Sequence, residues 1–266
     1  MGLPQPSPNS IALITGASSG IGEEFARQLS AQGHRVAVVA RREDRLATLC
    51  EDLGGPERAI AISADLAIPA DRDRLAARLD ELGFTIDILV NNAGFGVYGA
   101  FIESGPGLEL QQIRVDVEAV VDLMSRFLPG MVERGRGAVI NMASTSAFQA
   151  LPYNAGYGAA KAYVLSMSEA VNEEVKAAGV SVTAVCPGPV PTEFLEVNEA
   201  EFASKIPKFA WVSAQRVVSD ALKAAAKGHR SVIPGGPAVQ AFFAPSRRMP
   251  SAVTLAFTRR LMKKGD

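Results

Sequence analysis

The sequence predicts an α/β fold: one doubly wound parallel sheet of seven strands with helices on both faces. Three observations point to it. Short aliphatic or β-branched runs alternate with longer helical patterns, the runs number seven, and the first opens directly into a glycine-rich turn followed by a helix. With 266 residues, 48% of them hydrophobic, the chain is long enough to bury a large core as a single domain.

The strand-like runs cover residues 11–14, 36–39, 59–62, 88–90, 138–141, 180–185 and 231–233. Helices are expected over 22–32, 43–53, 70–82, 108–133, 157–178 and 214–227, and Gly33, Gly83 and Gly179 follow three of them as stops. Residues 1–10 carry Pro4, Pro6 and Pro8 and read as a flexible arm without the pattern of a secretion signal. Residues 11–236 then form the main domain, 193–212 a lid within it, and 237–266 a basic amphipathic tail. No charge occurs between Ala138 and Ala160, yet Asn141, Ser144, Thr145, Ser146, Gln149 and Asn154 are too polar for a membrane span. A buried strand running into a cleft accounts for that stretch better. The helices over 108–133 and 157–178 are apolar on more than one face, which predicts a homodimer or homotetramer.

Composition narrows the function. Twenty-seven basic against 28 acidic residues give no reason to expect a nucleic acid partner. Cys50 and Cys186 lack metal-ligand spacing and suit a reducing, cytoplasmic setting; with only His34 and His229 besides, no metal site is expected.

After the strand ending at Ile14, Gly16, Gly20 and Gly22 let the backbone turn tightly and let a phosphate approach the next helix N-terminus, with Ser18, Ser19 and Ile21 in the same turn. The spacing is Gly-x-x-x-Gly-x-Gly, and on its own a tight turn without ligand would explain it. The second strand adds weight. It leads into Arg41-Arg42, where an NAD-binding fold would carry a carboxylate for the ribose 2′-hydroxyl; two guanidiniums there suit a 2′-phosphate, so NADP(H) is the expected cofactor. Asp65-Leu66 after the third strand is expected to border the adenine, with the aspartate accepting from its amino group. Asn92, Ala93 and Gly94 after the fourth strand are small enough for close backbone approach. Farther on, Tyr157 and Lys161 lie one helical turn apart, so the ammonium can favour the ionised phenol and make it an acid/base near neutrality.

Taken together, Thr15 to Gly22, Asp65, Asn91 to Gly94, Ser144, Tyr157 to Lys161 and Pro187 to Thr192 resemble the short-chain dehydrogenase/reductase family of NADP-preferring type. The resemblance implies a single Rossmann domain. It makes Tyr157 the proton donor or base, Ser144 the hydrogen-bond partner of the substrate oxygen, and Lys161 the holder of the nicotinamide ribose. Pro187, Gly188, Val190 and Thr192 would pack along the nicotinamide. One departure stands out: the family's catalytic asparagine falls on Asp116, which accepts the same hydrogen bonds, lacks the amide donor and adds a charge.

The expected activity is NADP(H)-dependent interconversion of a carbonyl and an alcohol. Phe194, Leu195, Val197, Phe202, Ile206, Phe209 and Trp211 in the lid predict a hydrophobic substrate, unless they simply close the core. The tail sets six basic residues against Asp266 among apolar ones, a pattern fitting subunit packing or peripheral membrane contact. Asp116 also motivates an alternative, a catalytically impaired NADP(H)-binding sensor or scaffold, against which the intact Ser144, Tyr157 and Lys161 argue.

Overall fold

The computed structural model describes residues 2–197 and 205–262. Its seven strands are β1 (Ser10–Thr15), β2 (Arg35–Ala40), β3 (Ala59–Ser63), β4 (Thr85–Asn91), β5 (Gly137–Met142), β6 (Val180–Val185) and β7 (Ser231–Val232). They form one parallel sheet in the order β3-β2-β1-β4-β5-β6-β7. Every residue of β1, β5 and β6 is buried, because helices cover both faces; this is why those segments read as continuous rather than alternating apolar runs. The main helices are α1 (Gly20–Ala31), α2 (Glu43–Asp52), α3 (Pro69–Glu81), α4 (Pro106–Ile113), α5 (Ala119–Glu133), α6 (Ala155–Val175), α7 (Glu193–Val197), α8 (Ala214–Ala226), α9 (Pro237–Phe243) and α10 (Ser251–Met262). α1 packs against α8, and α3 against α5.

The chain order reverses between β1 and β4, which opens a crevice at the carboxyl ends of the strands. Thr15, Asn91, Met142 and Val185 all end at that edge, so the segments expected to carry chemistry leave the sheet side by side. A buried polar seam ties them: Asn91 Nδ2 donates to Asn141 Oδ1 at 2.9 Å, and Asn141 Nδ2 donates to Ser168 Oγ at 2.9 Å.

Three elements differ from the sequence expectation. The single helix expected over 108–133 starts at Pro106 and passes through a π-helical turn, Arg114–Glu118, before continuing as α5. Such a turn inserts one residue into the helical ladder and re-aims a side chain, and the buried residue in it is Asp116. The amino-terminal arm lies against the body: Pro4 is buried, the Arg136 guanidinium donates to the Gln5 carbonyl, and Asn9 O accepts from Thr85 N at 2.9 Å. The tail folds as α9 and α10 and returns to the crevice.

Candidate active site

The phosphate end is built on the β1–α1 turn. Gly16 and Gly20 have φ of 65° and 61°, a left-handed conformation costly for other residues, and a Cβ on Gly16 would stand 2.8 Å from Ala93 Cα. Thr15 fixes the two loops together by accepting from Asn92 N and Ala93 N at 2.9 and 3.0 Å, while Asn92 Nδ2 donates to Thr15 O and Gly16 O. The Asn92 side chain thus serves the backbone of the turn. Ser19 precedes α1 but does not cap it with its side chain. Instead Arg42 donates to Ser18 Oγ at 3.1 and 2.9 Å and to Ser19 Oγ at 3.0 Å, and its remaining arm meets the Glu193 carboxylate at 2.9 Å. A guanidinium, two hydroxyls and a helix N-terminus without a side-chain cap make a donor set suited to a phosphate, and a carboxylate already sits on the guanidinium. Arg41 borders the same space and is exposed. Asp65 uses Oδ1 to accept from Ala67 N at 3.0 Å, and the buried Arg72 holds the Leu66 carbonyl at 2.7 Å. Nothing in the sequence around Arg72 marks it, because its partners Glu118 and Asp122 lie on another helix.

The chemical end gathers on β5 and α6. Ser144 follows β5, its hydroxyl accepts from Ser146 N at 3.1 Å, and it lines the same cavity as Tyr157. Lys161, 4% exposed, donates to Met142 O at 3.1 Å, and its ammonium lies 5.4 Å from the centre of the Tyr157 ring. Asp116, 0% exposed, places Oδ2 3.3 Å from Lys161 Nζ and accepts from Phe95 N through Oδ1 at 3.1 Å. Gly94 makes room for that pair: a Cβ there would stand 2.8 Å from Asp116 Oδ1.

Electrostatics modify the sequence reading. Lys161 does pull the Tyr157 pKa down, as expected, but burial outweighs it and the Asp116 carboxylate adds to burial, so the phenol lies above its ordinary value. Burial also raises Asp116, against the pull of Lys161. Lys161 is disfavoured as an ammonium by burial, yet Asp116 and Tyr157 hold its pKa above the usual lysine value.

A single cavity of about 860 Å³ connects the two ends. Gly16, Ser18, Ser19, Gly20, Ile21, Arg41, Arg42, Asp65, Leu66, Asn92, Ala93, Gly94, Ser144, Tyr157, Lys161, Pro187, Gly188, Val190 and Thr192 all line it. Gly22 and Asp116 do not; both are buried just behind its wall. From the expected lid, Phe194, Leu195 and Ile206 reach the cavity, and the Phe194 and Tyr157 ring centres are 5.7 Å apart. Phe209 is 56% exposed and meets Phe242 edge-on at 5.4 Å, while Trp211 Nε1 donates to Ile206 O at 3.3 Å. Phe202 and the Val197 side chain lie outside the described residues. The surprise is the tail. Phe242, Phe243, Met249, Thr254, Phe257, Thr258, Leu261 and Met262 form the far wall, fastened by Thr258 Oγ1 donating to Ala150 O at 3.2 Å and by the Tyr98 hydroxyl donating to the Met262 carbonyl. Of the apolar residues read from the sequence in the tail, Phe242, Phe243, Phe257, Leu261 and Met262 line this cavity, whereas Val253 and Leu255 lie outside it and are exposed. Among the described residues, no group of three or more His, Cys, Asp or Glu is placed to hold a metal, and no helix is long and apolar enough to cross a membrane.

Comparison with known proteins identifies the family. The profile of the short chain dehydrogenase family matches residues 10–202, and the chain belongs to that family. An NADP-dependent 3-hydroxy acid dehydrogenase of Salmonella typhi is 36% identical over 193 residues, 71% of this chain and 76% of the relative. Among solved structures, a short-chain dehydrogenase from Sphingobium yanoikuyae in complex with NADPH is 32% identical with a TM-score of 0.76, covering 85% of this chain and 86% of that one. The bulky-bulky ketone specific alcohol dehydrogenase from Comamonas testosteroni is 28% identical with a TM-score of 0.74, over 92% and 97% of the two chains. This protein is accordingly an NAD(P)-dependent oxidoreductase acting on carbonyl or alcohol substrates.

Proposed function

We propose that the protein is an NADP(H)-dependent reductase of bulky hydrophobic ketones or aldehydes, able to run the reverse oxidation of the alcohol. The observation that carries this reading is one cavity with Arg42, Ser18 and Ser19 at one end, Ser144, Tyr157 and Lys161 at the other, and an apolar wall from the tail between them. The apolar lining beside Tyr157, from Phe194, Leu195, Phe257 and Leu261, suits a hydrophobic substrate.

In this mechanism Ser144 and Tyr157 hydrogen-bond the carbonyl oxygen and fix the substrate against the apolar wall. When bound, the reduced nicotinamide supplies the hydride to the carbonyl carbon. Tyr157 delivers its proton to the oxygen, completing the C–H and O–H bonds of the alcohol, and Lys161 stabilises the phenolate left behind. A phenol held above its ordinary pKa is protonated at neutral pH, as a proton donor must be. Arg42 would receive the 2′-phosphate. The apolar groove between α5 and α6, bordered by Val121, Met124, Leu128, Met167 and Val171, supports assembly into a homodimer or homotetramer.

The test is NADPH oxidation against a panel of apolar ketones with wild type and Tyr157→Phe. Turnover by wild type, and its loss in the variant with NADPH binding retained, is expected. A wild type that binds NADPH but turns over no carbonyl would favour the sensor or scaffold reading for which Asp116 is the motive.

A further inference from the structure

Glu193 is the first residue of α7, directly after Thr192. Its carboxylate bridges two guanidiniums, Arg42 Nη1 at 2.9 Å and Arg45 Nη1 on the other oxygen. The next residue, Phe194, rests on the Tyr157 ring with centres 5.7 Å apart. One short stretch therefore links the phosphate end of the cavity to its chemical end.

The two arginines hold the Glu193 carboxyl down to about 2, so it is an anion throughout the neutral range. A cofactor 2′-phosphate on Arg42 would be a second anion at the same fork. Like charges at hydrogen-bond separation repel, and Arg42 commits Nε and Nη2 to Ser18 and Ser19, which leaves Nη1, the arm Glu193 holds, to face a phosphate. The phosphate and the carboxylate therefore compete for one guanidinium arm.

We infer that Glu193 is a cofactor-discriminating latch: it holds the start of α7 on Arg42 and Arg45 and is displaced from Arg42 by the 2′-phosphate of NADP(H) but not by NAD(H). Displacement draws Phe194 away from Tyr157 and opens the substrate end of the cavity. The phosphate thereby acts on the substrate site through one residue. The inference rests on the proposal that Arg42 receives the 2′-phosphate.

The experiment measures dissociation constants for NADPH and NADH by cofactor fluorescence in wild type, Glu193→Gln and Arg42→Ala, and the KM of a bulky aryl ketone with each cofactor. Since a partly exposed ion pair must be broken, Glu193→Gln is expected to tighten NADPH roughly two- to fivefold while leaving NADH unchanged. It should also lower the ketone KM measured with NADH toward that measured with NADPH. Arg42→Ala is expected to weaken NADPH by more than about tenfold and NADH little. If Arg42→Ala leaves the NADPH to NADH ratio unaltered, the 2′-phosphate assignment falls and the latch with it. If that ratio collapses but Glu193→Gln fails to tighten NADPH, or tightens both cofactors equally, the latch is overturned while the cofactor assignment stands.

Discussion

Replacing Asp116 by asparagine removes a charge while keeping the shape that the π-helical turn presents. The carboxylate lies 3.3 Å from Lys161 Nζ, so at an effective dielectric near 20 the attraction between the two ions is about 5 kcal/mol. Taking an ion out of water costs several kcal/mol, and asparagine recovers that cost for the carboxylate alone while the buried Lys161 ammonium loses its counter-charge, so Asp116→Asn should lose about 1–3 kcal/mol of unfolding free energy. The amide oxygen still accepts from Phe95 N, as the carboxylate does at 3.1 Å. Asp116→Leu is different. It strands a buried ammonium and an amide N–H, and a loss of about 3–5 kcal/mol is expected.

The same substitution should move the pH profile in a defined direction. In carbonyl reduction the proton donor must be protonated, so kcat/KM falls as pH rises through its pKa. Burial is the main cause of the raised Tyr157 value and Asp116 adds to it, while Asp116 also holds Lys161 up against burial. Removing the carboxylate lowers both, and the alkaline limb moves to lower pH. The assay is NADPH-dependent ketone reduction from neutral to alkaline pH for wild type and Asp116→Asn, beside urea unfolding of both. A limb that stays in place or moves upward would refute the charge argument, and an asparagine variant as unstable as the leucine variant would refute the part given to the amide oxygen.

A Cβ at Gly22 would stand 2.5 Å from Asn92 Nδ2 and closer still to the Gly16 carbonyl oxygen, so Gly22→Ala should cost about 1–3 kcal/mol in a thermal melt and weaken NADPH binding. Unchanged cofactor affinity would mean that the turn can yield. Burial leaves Cys186 with no exposed surface and pushes its thiol up to about 12, so a thiol reagent at neutral pH should modify at most Cys50 until the protein unfolds. Reaction of both cysteines in the native state would contradict that burial. Leu261→Trp fills the wall contributed by α10 and should raise KM for a bulky ketone on the order of tenfold while sparing a small aldehyde; equal effects on both would remove the tail from the substrate pocket.

How much of this the sequence discloses follows from the range of the signals. The strands are legible because a sheet buried on both faces needs uninterrupted aliphatic runs, and 180–185 matches β6 residue for residue. The π-helical turn is not legible: it adds one residue to a helix already apolar on several faces, so the polarity pattern does not change. Asp116 can be picked out by its position, but its contact with Lys161 crosses from one helix to another. The tail shows the opposite limit. Apolar periodicity does not say which side of α10 turns inward: Thr254, Thr258 and Met262 are buried against the chain's own cleft, while Val253, Leu255 and Phe257 are exposed. Arg42 and Glu193 are separated by 151 positions and meet only once the sheet is wound.

The two ion pairs at opposite ends of the cavity differ in burial, and salt should therefore separate their roles. Arg42 and Glu193 side chains are 41% and 37% exposed, within reach of dissolved counter-ions. Lys161 and Asp116 are 5% and 0% exposed, sealed beneath the loop at Gly94. At about 1 M salt the screening length falls to roughly 3 Å, which weakens whatever anion occupies Arg42 and leaves the buried pair almost untouched. KM for NADPH should then rise with salt, KM for NADH should rise less, and the alkaline limb of kcat/KM should stay where it is. If the limb moved with salt as far as the NADPH affinity did, the Lys161–Asp116 pair would have to be open to solvent, and the assignment of the pH profile to a sealed proton-transfer site would fail.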